Sequence, residues 1–215
     1  MTKHVAPSPA LVASRIVAIV RGTEGRHTAA VLDTLAEAGI RCMEVTMNTP
    51  GALDELRAAR GRLPGDVELG GGTVLTAQDV DAVADMGGSF VVAPDARPDV
   101  ADRARARGLG YYPGALTPTE VGAAWERGAS AVKLFPASLG GPHYLRELRG
   151  PFREVPLVPT GGVGIDDAGR YLEAGALAVG VGGALLGDAL DGGALAALRQ
   201  RALRLLASVA EAGRR

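Results

Sequence analysis

Short apolar runs alternate with segments of helical length along the whole chain, and no other property of the sequence limits the fold as strongly. Each intervening segment carries apolar residues at helical spacing and a glycine near its C-terminal end, where glycine suits a helix cap. Strands that alternate with helices build a parallel sheet. Eight apolar runs are present, at residues 15–21, 42–48, 67–74, 89–95, 109–115, 131–137, 156–162 and 177–183.

Eight strand–helix units of about 25 residues fill the chain and leave a short segment for an N-terminal helix. The pattern therefore predicts an α/β fold, a (β/α)8 TIM barrel with a short N-terminal helix. A doubly wound open sheet is the alternative. No composition shift or long linker divides the chain, so we expect one barrel domain over residues 1–215. Thr76, Thr117 and Asp166 are predicted as helix N-caps.

The composition excludes several classes of protein. The 31 glycines are about twice the usual share, but they follow no three-residue period, which argues against collagen. A formal net charge of −1 argues against a nucleic-acid partner. No apolar run approaches the roughly 20 residues that a membrane helix needs, and the N-terminal stretch lacks the apolar core of a signal peptide. We therefore expect a cytoplasmic protein with no membrane partner.

Polar residues late in the predicted strands mark the candidate site, because chemistry in such barrels lies at the C-terminal strand ends. Side chains alternate along a strand, so the apolar Met43 and Val45 belong under the helices and Glu44 points into the barrel. The same alternation sends Lys133 and Phe135 inward. In phase with Val17 and Ile19, Arg21 ends the first strand, and Thr73 ends the third after a triple glycine that is expected to clear space beside it. The strand-2 set that faces inward is Cys42, Glu44, Thr46 and Asn48.

A lysine inside a barrel needs a partner charge or a shifted pKa, because an isolated buried ammonium is very costly. One interpretation is a Lys133–Glu44 ion pair that only holds strands together. Buried ion pairs, however, are a poor source of stability. A lysine with a lowered pKa is the nucleophile that a Schiff base with a ketone requires, and Glu44 would then be the proton shuttle.

Two glycine pairs follow the seventh and eighth apolar runs, Gly161–Gly162 and Gly182–Gly183. In barrels these two loops frequently bind phosphate through backbone N–H groups, and glycine permits the close approach. Either pair alone also fits an ordinary tight turn. Both pairs together favour a phosphate site.

The stretches GGGTVL (70–75), VKLFPAS (132–138), PTGGV (159–163) and EVTMNTPGAL (44–53) resemble class I 2-keto-3-deoxy-6-phosphogluconate (KDPG) aldolases. That family includes the 4-hydroxy-2-oxoglutarate (KHG) aldolases and the related 2-keto-3-deoxy-6-phosphogalactonate (KDPGal) aldolases. The resemblance runs from about residue 15 to residue 186. It implies a homotrimeric barrel and a lyase that cleaves the phosphorylated keto acid KDPG to pyruvate and glyceraldehyde 3-phosphate. Cleavage of 4-hydroxy-2-oxoglutarate to pyruvate and glyoxylate is a further expectation.

The resemblance also implies roles for individual residues. Lys133 matches the lysine that forms the imine, and Glu44 matches the general acid/base. Thr73 matches a threonine that holds the pyruvyl carboxylate, and Pro94 matches a proline that lines the site. The motifs place Phe135, Thr160 and the phosphate-binding glycines at the substrate: Gly161, Gly162, Gly182 and Gly183.

Two positions depart from one branch of the family, which has an arginine where this chain has Asn48 and a serine where it has Ala184. Arg21 is the candidate to replace that arginine at the carboxylate. The sequence Asn48-Thr49-Pro50 resembles the KDPGal branch, so the gluconate and galactonate epimers both stay open as substrates.

No metal or other cofactor is predicted, because His4, His27 and His143 are scattered without ligand spacing. Two alternatives from other classes remain open at this point. One is a phosphate-binding barrel of isomerase or synthase type, which has no need of a lysine inside the sixth strand. The other is a non-catalytic sugar-phosphate binding protein in which Lys133 is only an electrostatic contact.

Overall fold

A computed structural model describes residues 4–213, and strands alternate with helices through this part of the chain. The strands are β1 (Ile16–Val20), β2 (Cys42–Thr46), β3 (Glu68–Gly72), β4 (Phe90–Val92), β5 (Gly110–Tyr112), β6 (Gly114–Ala115), β7 (Val132–Leu134), β8 (Leu157–Pro159) and β9 (Val179–Val181). The α-helices are α1 (Pro9–Ser14), α2 (Thr28–Ala38), α3 (Ala52–Arg62), α4 (Ala77–Asp85), α5 (Pro98–Ala106), α6 (Pro118–Glu126), α7 (Gly141–Arg149), α8 (Ala168–Glu173), α9 (Gly183–Leu186) and α10 (Leu195–Ala212). Short 3₁₀ turns cover Ala137–Leu139 and Ala189–Asp191.

All strand pairs are parallel, and the strands close into a barrel. Six strands pair in the order β5-β4-β3-β2-β1-β9, and three in the order β6-β7-β8. A bridge between Thr160 and Gly180 joins the end of β8 to β9. On the other side, β5 and β6 are the two halves of one predicted strand, separated by Pro113. The predicted (β/α)8 barrel with its N-terminal helix is confirmed, and the open-sheet alternative is wrong.

The fifth apolar run forms two short strands rather than one, and Pro113 gives the physical reason. Proline has no N–H to donate to a sheet. The strand pairs with β4 before this residue and with β7 after it. The Pro113 carbonyl still accepts a hydrogen bond of 2.9 Å from the Lys133 backbone N–H. The interruption therefore lies next to the strand that carries the candidate nucleophile.

Apolar side chains fill the barrel toward the N-terminal ends of its strands. The polar residues lie closer to the C-terminal ends, which are taken here as the top of the barrel. Leu11 of α1 is fully buried at the N-terminal mouth and packs with an inner cluster of strand residues. That cluster comprises Val17, Cys42, Phe90, Val92, Tyr112, Ala131, Val158 and Ala178. Glu44 lies two residues beyond Cys42, and Lys133 two beyond Ala131, so strand alternation points both into the barrel above this layer.

Local capping follows the sequence at two of the three predicted positions. Thr76 and Thr117 each accept a backbone N–H in a reciprocal capping box, with Asp79 and Glu120 as the third helical residue. The prediction for Asp166 is wrong by one residue. Asp167 precedes α8, and the Asp166 carboxylate instead accepts a hydrogen bond of 2.8 Å from the guanidinium of Arg204.

Among the helices of residues 4–213, none combines the length and the apolar character that crossing a membrane requires.

Candidate active site

Lys133 and Glu44 lie inside the barrel, on β7 and β2. Lys133 is 5% exposed, and Glu44 is 1% exposed. Both residues line one small internal cavity of about 10 Å³, and Thr160 lies beside them. Within the described residues, no ion pair of 4.0 Å or less joins Lys133 to Glu44, and the buried Glu44 Oε1 has no hydrogen-bond partner. The two groups therefore face a common space and do not form the ion pair that would only hold the strands together.

Burial drives both groups toward their neutral forms. Desolvation lowers the pKa of the Lys133 amine, and the nearby Glu44 charge opposes that shift. Desolvation likewise raises the pKa of Glu44, against the attraction of Lys133. The positive charge of Arg21 lowers both pKa values. The pair thus tends toward an uncharged amine beside a protonated carboxyl group, which are the forms that a nucleophile and a general acid need.

A larger cavity of about 570 Å³ opens at the C-terminal ends of β1, β7, β8 and β9. Lys133 and Thr160 line both this cavity and the small inner one, so Glu44 lies directly beneath the larger space. The cavity brings together eight of the predicted site residues: Arg21, Lys133, Phe135, Thr160, Gly161, Gly162, Gly182 and Gly183.

Phe135 covers one side of the lysine. Its ring centroid lies 4.9 Å from Lys133 Nζ. Gly161 packs against this ring, since a Cβ atom there would lie 2.9 Å from it. At Gly162 a Cβ atom would lie 2.5 Å from Ser138 Cβ, and both glycines have positive φ angles, 86° and 78°. The close packing of the β8 loop on the β7 loop therefore already requires this glycine pair. Its position in the wall of the cavity is an additional property.

Arg21 and Thr73 meet at the mouth of the barrel. The Arg21 guanidinium donates a hydrogen bond of 2.9 Å to Thr73 Oγ1. Thr73 has a φ of 56°, a left-handed conformation that is unusual for a β-branched residue. Such local strain clusters at functional sites. The strained backbone ends the β3 alternation and brings the Thr73 hydroxyl within reach of Arg21.

The triple glycine of β3 makes room for Glu44 rather than beside Thr73, which corrects the expectation from the sequence. A Cβ atom at Gly72 would lie 2.4 Å from Glu44 Oε1. At Gly70 it would lie 2.4 Å from the Phe90 ring. The glycines therefore let the carboxyl group and a core aromatic ring lie directly against the β3 backbone.

Besides Glu44 and Thr73, two more predicted residues lie outside the walls of the larger cavity. Asn48 is exposed in the turn after β2, and Pro94 is half-buried two residues after β4, where its carbonyl faces Gly114. Neither lines the cavity walls. Conversely, the cavity includes Thr23, Gly187, Leu190 and Asp191, which the sequence reasoning missed. They lie in loops and in the 3₁₀ turn Ala189–Asp191 rather than late in strands, and strand alternation carries no signal for such positions.

Among residues 4–213, no group of three or more His, Cys, Asp or Glu side chains is arranged to hold a metal ion.

Comparisons with known proteins agree with this geometry. The family model "Aldolase: KDPG and KHG aldolase" matches residues 9–200. A probable 2-dehydro-3-deoxy-6-phosphogalactonate aldolase of Rhizobium meliloti (strain 1021) is 33% identical over 194 residues, 90% of each chain. A 2-dehydro-3-deoxy-phosphogluconate aldolase of Treponema pallidum (strain Nichols) is 36% identical over 74% of this chain and 75% of its own. A solved native KDPGal structure superposes with a TM-score of 0.87 at 28% identity and covers 100% of both chains.

The family match spans the strands that carry Lys133, Glu44 and both glycine loops, and the named relatives are aldolases over most of their length. These findings indicate a lyase and argue against an isomerase, a synthase or a non-catalytic binding protein. The chain belongs to the KDPG and KHG aldolase family.

Proposed function

We propose that this protein cleaves a 2-keto-3-deoxy-6-phospho sugar acid to pyruvate and glyceraldehyde 3-phosphate through an imine on Lys133. One observation carries the proposal. Lys133 is a buried lysine with a lowered pKa, lies without an ion pair among the described residues, and borders both the inner Glu44 cavity and the outer 570 Å³ cavity. A lysine with only a structural role has no need to line both the inner cavity and an outer cavity large enough for a ligand.

Imine formation uses both neutral groups. The Lys133 amine attacks the C2 ketone of the substrate, and the protonated Glu44 carboxyl group supplies the proton, through a water molecule, as the carbinolamine loses water. Glu44 is then a carboxylate and removes the proton of the C4 hydroxyl. The C3–C4 bond breaks, the aldehyde leaves, and the iminium accepts the electron pair as an enamine. Protonation at C3 and hydrolysis of the imine release pyruvate and restore the lysine.

The two anionic ends of the substrate fit opposite sides of the cavity. Arg21 and the Thr73 hydroxyl are the proposed partners of the pyruvyl carboxylate, where guanidinium and hydroxyl donors suit a carboxylate. The loops after β8 and β9 are the proposed phosphate side. Gly183 supports this assignment, because no atom outside its own chain neighbours and helix backbone lies within 4 Å of its Cβ position. It also begins α9, whose first N–H groups have no partner within the helix.

The substrate epimer is the second part of the proposal. A relative that covers 90% of this chain is named a phosphogalactonate aldolase, and Asn48-Thr49-Pro50 resembles that branch, so the KDPGal substrate is the specific alternative to KDPG. Cleavage rates should be measured on both C4 epimers and on 4-hydroxy-2-oxoglutarate, with pyruvate quantified as product. We expect the phosphorylated substrates to have the higher kcat/KM. The proposed function would be contradicted if none of the three substrates released pyruvate.

A homotrimer is proposed from the family resemblance. The segment between β7 and α7 carries Leu139, which is 71% exposed, close in sequence to the partly exposed Phe135. If another subunit covers this segment, the exposed Leu139 side chain is buried in that contact. Light scattering of the purified protein should give three times the 21.9 kDa chain mass. A monomeric mass would contradict this proposal.

A further inference from the structure

Thr49 lies where the loop after β1 meets the loop after β2, outside both cavities of the candidate site. It is 2% exposed. Its Oγ1 lies 3.0 Å from Thr46 Oγ1 and accepts a hydrogen bond of 3.2 Å from the Gly22 backbone N–H. Its own backbone N–H donates to the Thr46 carbonyl over 2.8 Å. The Thr49 hydroxyl thus bonds to Thr46, at the end of β2, and to the Gly22 amide in the loop after β1.

The two loops also touch at a second point. A Cβ atom at Gly25 would lie only 2.2 Å from the Pro50 carbonyl oxygen, so no larger residue fits between the loops there. Close backbone packing at Gly25 and a side-chain bond at Gly22 hold the same two loops together. The Thr49 contact is therefore part of a built junction between them.

Gly22 directly follows Arg21, the proposed partner of the substrate carboxylate. The Arg21 side chain is exposed, so burial does not hold it in place. Its guanidinium reaches Thr73 Oγ1 over 2.9 Å. An exposed arginine has many rotamers, and ordering it is entropically costly. The anchored backbone at Gly22 reduces that cost because it fixes where the side chain begins.

We propose that Thr49 is a positioning residue for recognition of the substrate carboxylate. Its hydroxyl anchors the Gly22 amide and thereby keeps the Arg21 guanidinium at the carboxylate side of the cavity. This inference rests on the proposed function. Loss of the hydroxyl should weaken binding of a keto acid through its carboxylate, while imine chemistry at Lys133 and Glu44 continues.

Borohydride trapping of pyruvate at a series of concentrations tests this role. In Thr49→Val, which keeps the side-chain shape, the half-saturating pyruvate concentration should rise about tenfold, or about 1.4 kcal/mol of binding free energy. The extent of labelling at saturation should stay as in wild type. Thr49→Ser retains the hydroxyl and should bind pyruvate as wild type does.

The chain offers a matched control in Thr28→Val. Thr28 is equally buried, at 1% exposed, but its Oγ1 has no hydrogen-bond partner. The same substitution there should leave pyruvate trapping unchanged. Pyruvamide is the matched ligand, because it keeps the ketone and replaces the carboxylate by a neutral amide. Its half-saturation should be the same in wild type and Thr49→Val.

A double-mutant comparison closes the test. Arg21→Met should show the pyruvate shift, and adding Thr49→Val to it should produce no further shift.

Thr46→Val, which removes the other hydroxyl of the pair, should shift half-saturation two- to threefold and is a second route if Thr49→Val folds poorly. Wild-type pyruvate binding in Thr49→Val and Thr46→Val, or equal shifts for pyruvate and pyruvamide in Thr49→Val, would overturn the inference and leave the proposed function intact. Absence of any adduct on wild-type Lys133 would overturn both.

Discussion

At the scale of single residues, the chemistry depends on two ionisable groups whose pKa values are shifted by burial in the direction of their neutral forms. Desolvation lowers the pKa of Lys133 and raises that of Glu44, and each charge only partly offsets the shift of the other. Strand alternation in the sequence predicts that both point inward. What the sequence does not show is that they face a shared cavity without an ion pair, because that depends on the glycine backbone of β3 beside Glu44.

The pH dependence of kcat/KM should be bell-shaped. On the acid side, protonation of Lys133, at a pKa below its ordinary 10.5, removes the nucleophile. On the alkaline side, Glu44, at a pKa above its ordinary 4.5, loses the proton that dehydration requires. Because the groups are coupled, the two limbs report the pair rather than either residue alone.

Glu44→Gln should lower kcat by about 10²–10⁴-fold, the usual contribution of a general acid/base. The alkaline limb of its kcat/KM profile should disappear, since glutamine does not titrate, while the acid limb from Lys133 stays. A variant that keeps an unchanged alkaline limb would show that another group supplies it. Glu44→Asp is the conservative comparison and should retain a bell-shaped profile at reduced rate.

Lys133→Met should be inactive and more stable than wild type. The folded-state pKa of Lys133 is lower than the unfolded value, so proton binding favours the unfolded chain below pH 10.5 and the lysine disfavours folding at neutral pH. Methionine removes that cost, and a gain of about 1 kcal/mol corresponds to a Tm increase of about 2–4 °C. The Tm difference should shrink as the pH rises toward 10.5, the ordinary lysine pKa. Thermal melts at several pH values measure it, and a variant less stable than wild type at neutral pH would contradict the assignment.

At the scale of elements, the short helix α9 is held from its far end by α10. The Arg201 guanidinium donates to the carbonyls of Leu185 and Leu186, both over 2.6 Å. Gly187, which ends α9, lets the guanidinium approach, since a Cβ atom there would lie 2.8 Å from Arg201 Nη2. Hydrogen bonds from a cation to such carbonyls stabilise a helix C-terminus. Arg201 therefore fixes the wall of the cavity on the proposed phosphate side.

Arg201→Met should raise the KM for phosphorylated substrate severalfold and leave pyruvate trapping on Lys133 unchanged, because pyruvate has no phosphate. Steady-state kinetics and trapping on the same preparation separate the two effects. Arg204→Met, one turn away on α10, replaces an arginine that pairs with the exposed Asp166 and is the control. Equal effects of the Arg201 substitution on both measurements would contradict a role confined to the phosphate side.

The elements themselves were largely predictable from sequence, and the exceptions have identifiable causes. Periodicity located every strand of the barrel, but Pro113 divides one of them through its missing N–H. Thr76 and Thr117 carry complete capping boxes, whereas Asp166 lacks that pattern and the helix begins one residue later. The glycine pair after β8 favours a phosphate site in the sequence, yet its packing against Phe135 and Ser138 already requires glycine at both positions.

At the scale of the whole molecule, barrel closure is what assembles the site. Arg21, Lys133 and Gly182 are far apart in sequence and line one cavity because parallel strands present their C-terminal ends at the same face. Thr23 and Gly187 join them without a sequence signal, since their positions depend on how the connections between strands and helices fold over that face. The single-domain organisation over residues 1–215, the homotrimer and the cytoplasmic location stay predictions.

The sequence makes the central claim unusually direct to test, because Lys3 and Lys133 are its only two lysines. The measurement is peptide mass mapping after borohydride reduction in the presence of pyruvate. The account predicts one reduced pyruvate adduct on the peptide that contains Lys133, retained in Lys3→Arg and absent in Lys133→Met. An unmodified Lys133 peptide in protein that cleaves its substrate, or an adduct that persists in Lys133→Met, would contradict it.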